Sequence, residues 1–289
     1  MNEKKILPRG LIEVSNQCAK NCLYCGIRRG NARVSRYHMT VDEVLACAAE
    51  ALRRGYPAIA LQAGELESEA NTAFYESVLR RLPEVERAAG AARPLEVTLS
   101  LGEQTEAVYR RWKEAADGRV LRYLLRIETS NRTRYAQIHP ADCSFDRRVD
   151  CLRTLKRLGY VTGSGVMIGL PGQTKEELLK DIDFFVEMNL DMVGMGPFIE
   201  HPATPMGAGA VPDAASREAR LRLALWMIAE VRKRLPRANM VAATALDALA
   251  PGRGREQGLA AGANVIMPDL TPEKYKVAYD LYPGKTAAR

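Results

Sequence analysis

Along this chain a short apolar run is followed, eight times over, by a longer stretch in which apolar residues recur every three or four positions. The short runs are "GLIEVS" (10–15), "AIALQA" (58–63), "LEVTLSL" (95–101), "YLLRIE" (123–128), "TGSGVMI" (162–168), "MVGMGPF" (192–198), "MVAATA" (240–245) and "NVIMP" (264–268). Their length suits strands rather than helices. The periodic stretches predict helices over 40–54, about 71–89, 104–117, 132–138, 145–158, 174–189, 216–234 and 253–261. Thr40 with Glu43, and Thr174 with Glu177, open two of them as capping boxes. Parallel strands covered on both faces read as continuous apolar runs. Eight alternating units therefore predict an α/β fold, a full (β/α)8 TIM-type barrel, in one domain spanning 1–289. Its core covers about 10–268 and a C-terminal segment follows over 269–289. A doubly wound open sheet is the alternative. No internal linker interrupts the pattern; the long Pro-, Ala- and Gly-rich loop is 201–216.

Composition agrees with a large folded core: 289 residues, 47% apolar and 27% charged. No apolar run approaches the ~18 residues of a membrane span, and "MNEKKILPRG" leads into no secretory h-region, so a cytoplasmic protein without membrane attachment is expected. The formal net charge is +7. Its basic residues are spread along helices, as in "RRLPEVER" and "EVRKRLPR", with no arginine-rich tail or stripe of stacking aromatics. That reads as solvated surface rather than a nucleic-acid site, and leaves room for anionic small molecules or an acidic partner protein.

Cysteine changes the picture. Three of the six lie within eight residues, Cys18, Cys22 and Cys25, in the loop after the first strand. In a reducing compartment such a cluster points to metal binding or catalysis rather than disulfides. A C-x3-C-x2-C loop supplies three thiolates to one inorganic cluster, and in a 4Fe-4S cluster that leaves one iron open to a substrate or cofactor. A structural zinc site using these cysteines with His38 is the competing reading, although His38 lies thirteen residues beyond Cys25. Cys47, Cys143 and Cys151 sit singly in helical patterns, where small buried residues and no second cluster are expected. In a barrel of this type, chemistry belongs at the carboxyl ends of the strands, which is where the cysteine loop falls.

The loop "CAKNCLYCG", with an aromatic residue before its third cysteine, resembles the signature of the radical S-adenosylmethionine (SAM) enzymes. Nearly the whole chain further resembles the HydE family of FeFe-hydrogenase maturases. The resemblance rests on "EVSNQCAKNCLYCGIRR", "LQAGE", "VTLSLGE", "YLLRIETSN", "MIGLPGQT", "DMVGMGPFIEHPATP", "GANVIMPDLTPEKY" and "LYPGK". Biotin synthase, methylornithine synthase and the thiazole-pathway tyrosine lyase share the plan. The resemblance implies a 4Fe-4S cluster on Cys18, Cys22 and Cys25, and reductive cleavage of SAM at its open iron to methionine and a 5'-deoxyadenosyl radical. It also implies roles for other residues. Gln62, Ala63, Gly64 and Glu65 of "LQAGE" would take the methionine amino group, Glu128 the ribose hydroxyls and Arg148 the SAM carboxylate. Tyr24 and the segment Met167, Ile168, Gly169 and Leu170 would lie against adenine. Taken singly, each of these has a plain structural alternative, as a cap, an internal ion pair, solvated surface or a strand-to-helix turn.

Arg126, Ile127, Met192 and Thr244 match residues that line the family's substrate cavity. Two departures are expected to make that cavity more apolar: Ile127 stands where the family has histidine, and Ala243 where it has the first threonine of a pair. The expected partners are a small-molecule or organometallic substrate, an electron donor such as a ferredoxin or flavodoxin, and other hydrogenase maturation proteins; neither nucleic acid nor membrane is expected. Three functions stay open: a maturase acting on an iron-bound cysteine synthon of the hydrogenase diiron site, a radical SAM enzyme with an organic substrate such as an amino-acid mutase, and a non-catalytic metal or cluster carrier.

Overall fold

The computed structural model describes residues 6–210 and 213–285. The first five residues of the opening read for a leader, two positions of the long loop and the last four of the C-terminal segment lie outside the described residues. The chain runs β1 (Leu7–Pro8), β2 (Gly10–Ser15), α1 (Val41–Arg53), β3 (Ala58–Ala63), α2 (Glu69–Ala88), β4 (Glu96–Ser100), α3 (Glu106–Ala115), β5 (Leu121–Leu124), α4 (Arg132–Ile138), α5 (Phe145–Arg157) and β6 (Val161–Ser164). It continues through β7 (Met167–Ile168), α6 (Lys175–Glu187), β8 (Met192–Val193), β9 (Gly196–Pro197), α7 (Ala214–Arg234), β10 (Asn239–Met240), α8 (Thr244–Leu249), α9 (Gly254–Ala261), β11 (Val265–Ile266) and α10 (Glu273–Lys276).

Seven strands form one parallel sheet in the order β10-β8-β6-β5-β4-β3-β2. That order never reverses, so the sheet has no switch point and the doubly wound alternative is excluded. Instead the sheet curls into a half-barrel, with β1 paired to β11 and β7 to β9 as short parallel extensions. Side chains alternate across the curl as the pleat requires. Ile12 and Val14 of β2, Ile59 and Leu61 of β3, and Val97 and Leu99 of β4 face outward into one apolar core with α1, α2 and α3. Leu11, Glu13, Ala60, Gln62, Thr98 and Ser100 alternate with them and face inward onto a cavity. A second core packs α6 and α7 on the other half of the sheet through Ile182, Phe185, Ala224 and Ile228.

Both capping boxes form as the sequence predicts, Thr40 with Glu43 and Thr174 with Glu177. Four strand expectations need correction. The run 123–128 is regular only to Leu124, and its last residue, Glu128, adopts φ +63, which a strand cannot continue through. The runs 162–168 and 192–198 each break into two short strands around Gly165 and Gly194, where the backbones approach so closely that a Cβ on Gly165 would lie 1.8 Å from the Gly194 carbonyl oxygen. The run 240–245 ends early as well: Thr244 opens helix α8, an element absent from the periodicity reading. No helix of the described residues is long and apolar enough to cross a membrane.

Candidate active site

The cysteine loop follows β2 and contains little regular structure, yet it is held by buried hydrogen bonds. Asn16 donates its side-chain amide to the Ser35 and Ala278 carbonyls (2.8 and 2.7 Å) and accepts from the Tyr37 N–H (2.8 Å). Arg36 donates to the carbonyls of Asn16, Ile27 and Arg28 at 2.6 to 2.7 Å. The loop docks on the end of β3: Ala19 N–H donates to Glu65 O (2.8 Å), and Glu65 N–H donates to Cys18 Sγ (3.4 Å). Gly64 permits this contact, since a Cβ there would lie 2.1 Å from the Gln17 carbonyl oxygen.

Cys18, Cys22 and Cys25 all line the same interior cavity, and all six cysteines are free thiols. Burial pushes Cys18 up and Cys25 up to about 12; Cys22 is raised by its hydrogen bond to Cys143 and then by burial. Buried thiols of this kind stay neutral unless a cationic group binds their sulfurs, which is what an iron-sulfur cluster supplies. His38 does not join them. Its Nδ1 lies 2.8 Å from Met39 O and its ring packs edge-on to Phe74. His38, the fourth ligand of the zinc alternative, is thus engaged elsewhere.

Beside the cysteines lies a buried charge network. Glu65 is paired with Lys20 (3.2 Å) and with Arg148 (3.4 Å), and Arg148 Nε also meets Glu103 Oε1 at 2.7 Å. Glu103 has no exposed surface, and Arg147 (3.2 Å) and Lys20 (3.9 Å) complete its cationic surroundings. Burial pulls the Arg148 guanidinium down, but Glu65 and Glu103 outweigh it and hold the group well above its ordinary value. Glu65 Oε1 is buried with only the Lys20 ammonium beside it, at 3.2 Å. An amino group brought into the cavity would find a carboxylate already set to receive an ammonium, and a carboxylate would find Arg148 beside it. The residues therefore fit the amino-acid end of SAM.

The cavity measures about 370 Å³ and runs from the cysteines down the sheet interior. Tyr24 and Phe198 wall one side with Met167, and the Tyr24 hydroxyl meets His139 Nε2 at 3.2 Å. Gln62 donates to the Tyr279 hydroxyl (3.2 Å), and Glu128 accepts from Arg126 (2.8 Å). At the floor the buried Arg9 donates to Thr98 Oγ1 (3.0 Å) and Met192 Sδ (3.6 Å); burial and Arg122 lower it to about 10. Thr244 Oγ1 and the Tyr282 hydroxyl are 2.5 Å apart.

Of the residues singled out from sequence, Cys18, Cys22, Tyr24, Cys25, Gln62, Ala63, Gly64, Glu65, Arg126, Glu128, Arg148, Met167, Met192, Ala243 and Thr244 line this one cavity. Ile127 does not. Its neighbours Arg126 and Glu128 line the cavity, whereas its own side chain is fully buried in the outer core with Val149, Val166 and Leu178. Ile168, Gly169 and Leu170 also lie outside the lining: Ile168 packs in the outer core, and Gly169 (φ +80) makes a turn whose amides Gln173 caps. Cys143 is not in a helix either; it sits in the loop before α5, in contact with Cys22. Cys47 and Cys151 are buried helix residues as expected. Sequence reasoning missed Lys20, Glu103, Tyr279 and Lys285. Glu103 follows β4 at the carboxyl end of the strand, and that position alone marks it.

Parallel strands curled around a cavity, three thiols at the mouth and a paired acid and arginine beside them are the features of one class of enzyme. The model of the radical SAM superfamily matches residues 12–185, and the chain belongs to that superfamily as a radical SAM enzyme. Membership implies a 4Fe-4S cluster and SAM. Within it, the chain is 45% identical over 277 residues, 96% of its own length and 74% of the relative's, to the FeFe hydrogenase maturase subunit HydE of Thermotoga maritima. Solved structures share the fold: methylornithine synthase (TM-score 0.74, 22% identity, 92% of this chain and 72% of that one) and the FeFe-hydrogenase maturase HydG (TM-score 0.75, 20% identity, 96% and 61%).

Proposed function

We propose that this enzyme acts, in the cytoplasm, in the maturation of FeFe-hydrogenase, with a HydE-like role on a small organometallic substrate held in the interior cavity. The observation that carries the reading is the convergence of Cys18, Cys22 and Cys25 with Glu65, Arg148 and Glu128 on one cavity, in a chain 45% identical to a HydE. In this reading Cys18, Cys22 and Cys25 would hold the cluster, and three thiolates would leave it a site open to SAM. When bound, cluster and SAM supply one-electron cleavage of a sulfonium and a hydrogen- or carbon-directed radical. The chain's own residues do the rest. Glu65 and Arg148 fix the two ends of an amino acid, Glu128 receives hydroxyl donors, and Tyr24 with Phe198 excludes water from an adenine-sized face.

We also propose that the sheet closes as an eight-stranded barrel. Supporting this, segment 264–268 bonds to both edges: Asn264 N–H donates to Met240 O (2.9 Å), and Leu11 N–H to Pro268 O (2.8 Å). A closed wall suits chemistry that water or solvent-borne reductant would quench. A ferredoxin or flavodoxin is the proposed electron donor, and other maturation proteins supply and receive the substrate.

Anaerobic reconstitution tests the core of this reading. Brown protein with about four irons per chain that releases 5'-deoxyadenosine from SAM is expected, and Cys22→Ala should lose both properties. Colourless protein holding one zinc would reject it. Turnover of an iron-bound cysteine synthon then separates a maturase from a radical SAM enzyme with an organic substrate; SAM cleavage without synthon conversion would leave only the class.

A further inference from the structure

Glu65, read above as the acceptor of the SAM amino group, already has an ammonium beside it. Lys20 Nζ lies 3.2 Å from Glu65 Oε1, and the same nitrogen lies 3.9 Å from Oε2 of Glu103. Lys20 and Glu65 line the cavity, whereas Glu103 has no exposed surface and does not line it. Neither carboxylate oxygen of Glu103 accepts a hydrogen bond, although Arg148 Nε and Arg147 Nε sit 2.7 and 3.2 Å from them. A buried carboxylate of this kind has acceptor capacity to spare. The main chain of Lys20 is fixed: its carbonyl accepts from Arg29 N–H (2.8 Å), and next to it Ala19 N–H donates to Glu65 O (2.8 Å). The choice between the two acids therefore falls to the flexible side chain. A shift of about 1 Å brings its ammonium from ion-pair distance into hydrogen-bonding range of Glu103.

We propose that Lys20 is a positioning residue that competes with the SAM amino group for Glu65, its ammonium passing to Glu103 when SAM binds. The exchange breaks no covalent bond and moves no proton. Before it, Lys20 neutralises Glu65, and a buried carboxylate is spared the cost of standing without a cation. After it, the amino group faces Glu65, the SAM carboxylate faces Arg148 and Lys20 faces Glu103, so every acid keeps a cation. In moving toward Glu103 the ammonium also withdraws from the cavity wall. A ligand without an amino group cannot displace Lys20 and gains nothing from Glu65, so the exchange selects for an amino-acid end. The proposal rests on the reading of Glu65 as the acceptor of that amino group.

Titration calorimetry on the full, cluster-loaded chain tests this with two probes: SAM, and 5'-methylthioadenosine, which carries the adenosine but no amino or carboxylate group. Lys20→Met should tighten SAM binding by roughly tenfold, the scale of one charged hydrogen bond gained without displacing another. Affinity for methylthioadenosine should stay at the parent value. In a Glu103→Gln background Lys20 has no second acid to receive it, so the same Lys20→Met change should tighten SAM by a factor roughly threefold larger still. A lysine that merely supported the fold would move both probes together and would not couple to Glu103. SAM affinity that falls or stays the same in Lys20→Met, or that moves in step with methylthioadenosine, overturns the proposal. So does a Lys20→Met effect of equal size with and without Glu103→Gln. Should Lys20→Met load less iron than the parent, Lys20→Gln, which keeps a polar end, is measured in its place; loss of iron from both assigns Lys20 to the cysteine loop's own structure and overturns the proposal as well. Glu65→Ala separates the two readings. Unchanged SAM affinity there rejects Glu65 as the acceptor, whereas weakened affinity there with no response to Lys20→Met rejects the role of Lys20 alone.

Discussion

Arg148 and Glu65 carry the amino-acid end of the proposed SAM site, and each is more than nine-tenths buried. A guanidinium and a carboxylate this far from water hold one another only loosely at 3.4 Å, while Glu103 grips the arginine at 2.7 Å. That asymmetry keeps Arg148 oriented and leaves Glu65 able to exchange its partner for an incoming amine. Arg148→Ala and Glu65→Ala should each weaken SAM binding by about 1.5 to 3 kcal/mol, the worth of a hydrogen bond to a charged group. Titration calorimetry on reconstituted protein reads the effect, with iron content as the control. Unchanged affinity in both variants would place the SAM contacts elsewhere. Glu128 is the other residue whose backbone marks it: φ +63 is uncommon for a glutamate and costs on the order of 1 to 3 kcal/mol, a strain that surrounding bonds to Gly165 O and from Met167 N–H sustain.

At the scale of elements, the two family departures separate. Ile127 lies in the outer core, so Ile127→His should put an imidazole among aliphatic side chains and lower stability by about 2 to 5 kcal/mol without changing what the cavity accepts. Ala243 lines the cavity and also stands at the N-cap of α8 with no side-chain cap bond. Ala243→Thr should therefore raise stability by about 1 kcal/mol while adding a hydroxyl to the cavity wall. Denaturant unfolding of the two single variants reads opposite signs, and the same sign in both would contradict these placements. The end of α4 carries a pH dependence. Burial pushes His139 down to about 4, so between that value and its ordinary 6.5 the ring is neutral when folded and protonated when unfolded. Unfolding then takes up a proton. The stabilisation is present in full above about 6.5 and is lost as pH falls through 4, by roughly 3 kcal/mol over the whole window. In the cluster-free chain His139→Gln should flatten the fall in unfolding free energy between pH 6.5 and 4; an unaltered slope would show that another group causes it.

Over the whole molecule, the segment after β11 closes one end of the cavity. Asn16 donates to Ala278 O, Gly26 N–H to Leu281 O (3.1 Å), and His201 pairs with Asp280 (3.1 Å). Furthest along, Lys285 forms a buried ion pair with Glu13 on β2, spanning nearly the full sequence. Removing one partner of such a pair costs about 3 to 5 kcal/mol. Lys285→Met should lower stability by that order and expose the chain beyond Leu270 to limited proteolysis. Wild-type protease resistance would show that Tyr279 and its neighbours hold the segment without the latch.

What the sequence by itself determined were features set by near neighbours. A capping box closes within four residues, so Thr40 with Glu43 and Thr174 with Glu177 could be read directly, and β2 and β3 have the predicted bounds because their apolar runs are bracketed by turn residues. The cysteine spacing is likewise local, and it indicated a cluster before any fold was known. Tertiary structure alone decided which way each side chain points and what meets it. Ile127 is buried in the outer core while Arg126 and Glu128 line the cavity, an arrangement of the irregular segment after β5 that no window of sequence around it reveals. Cys143 looks like a lone helix residue in sequence and meets Cys22 only because the end of α4 docks on the cysteine loop. Glu103, Arg148 and Glu13 owe their partners to strand ends and termini brought together by the curl of the sheet. Contacts between residues tens or hundreds of positions apart are fixed by packing of the whole chain, and local periodicity carries no record of them.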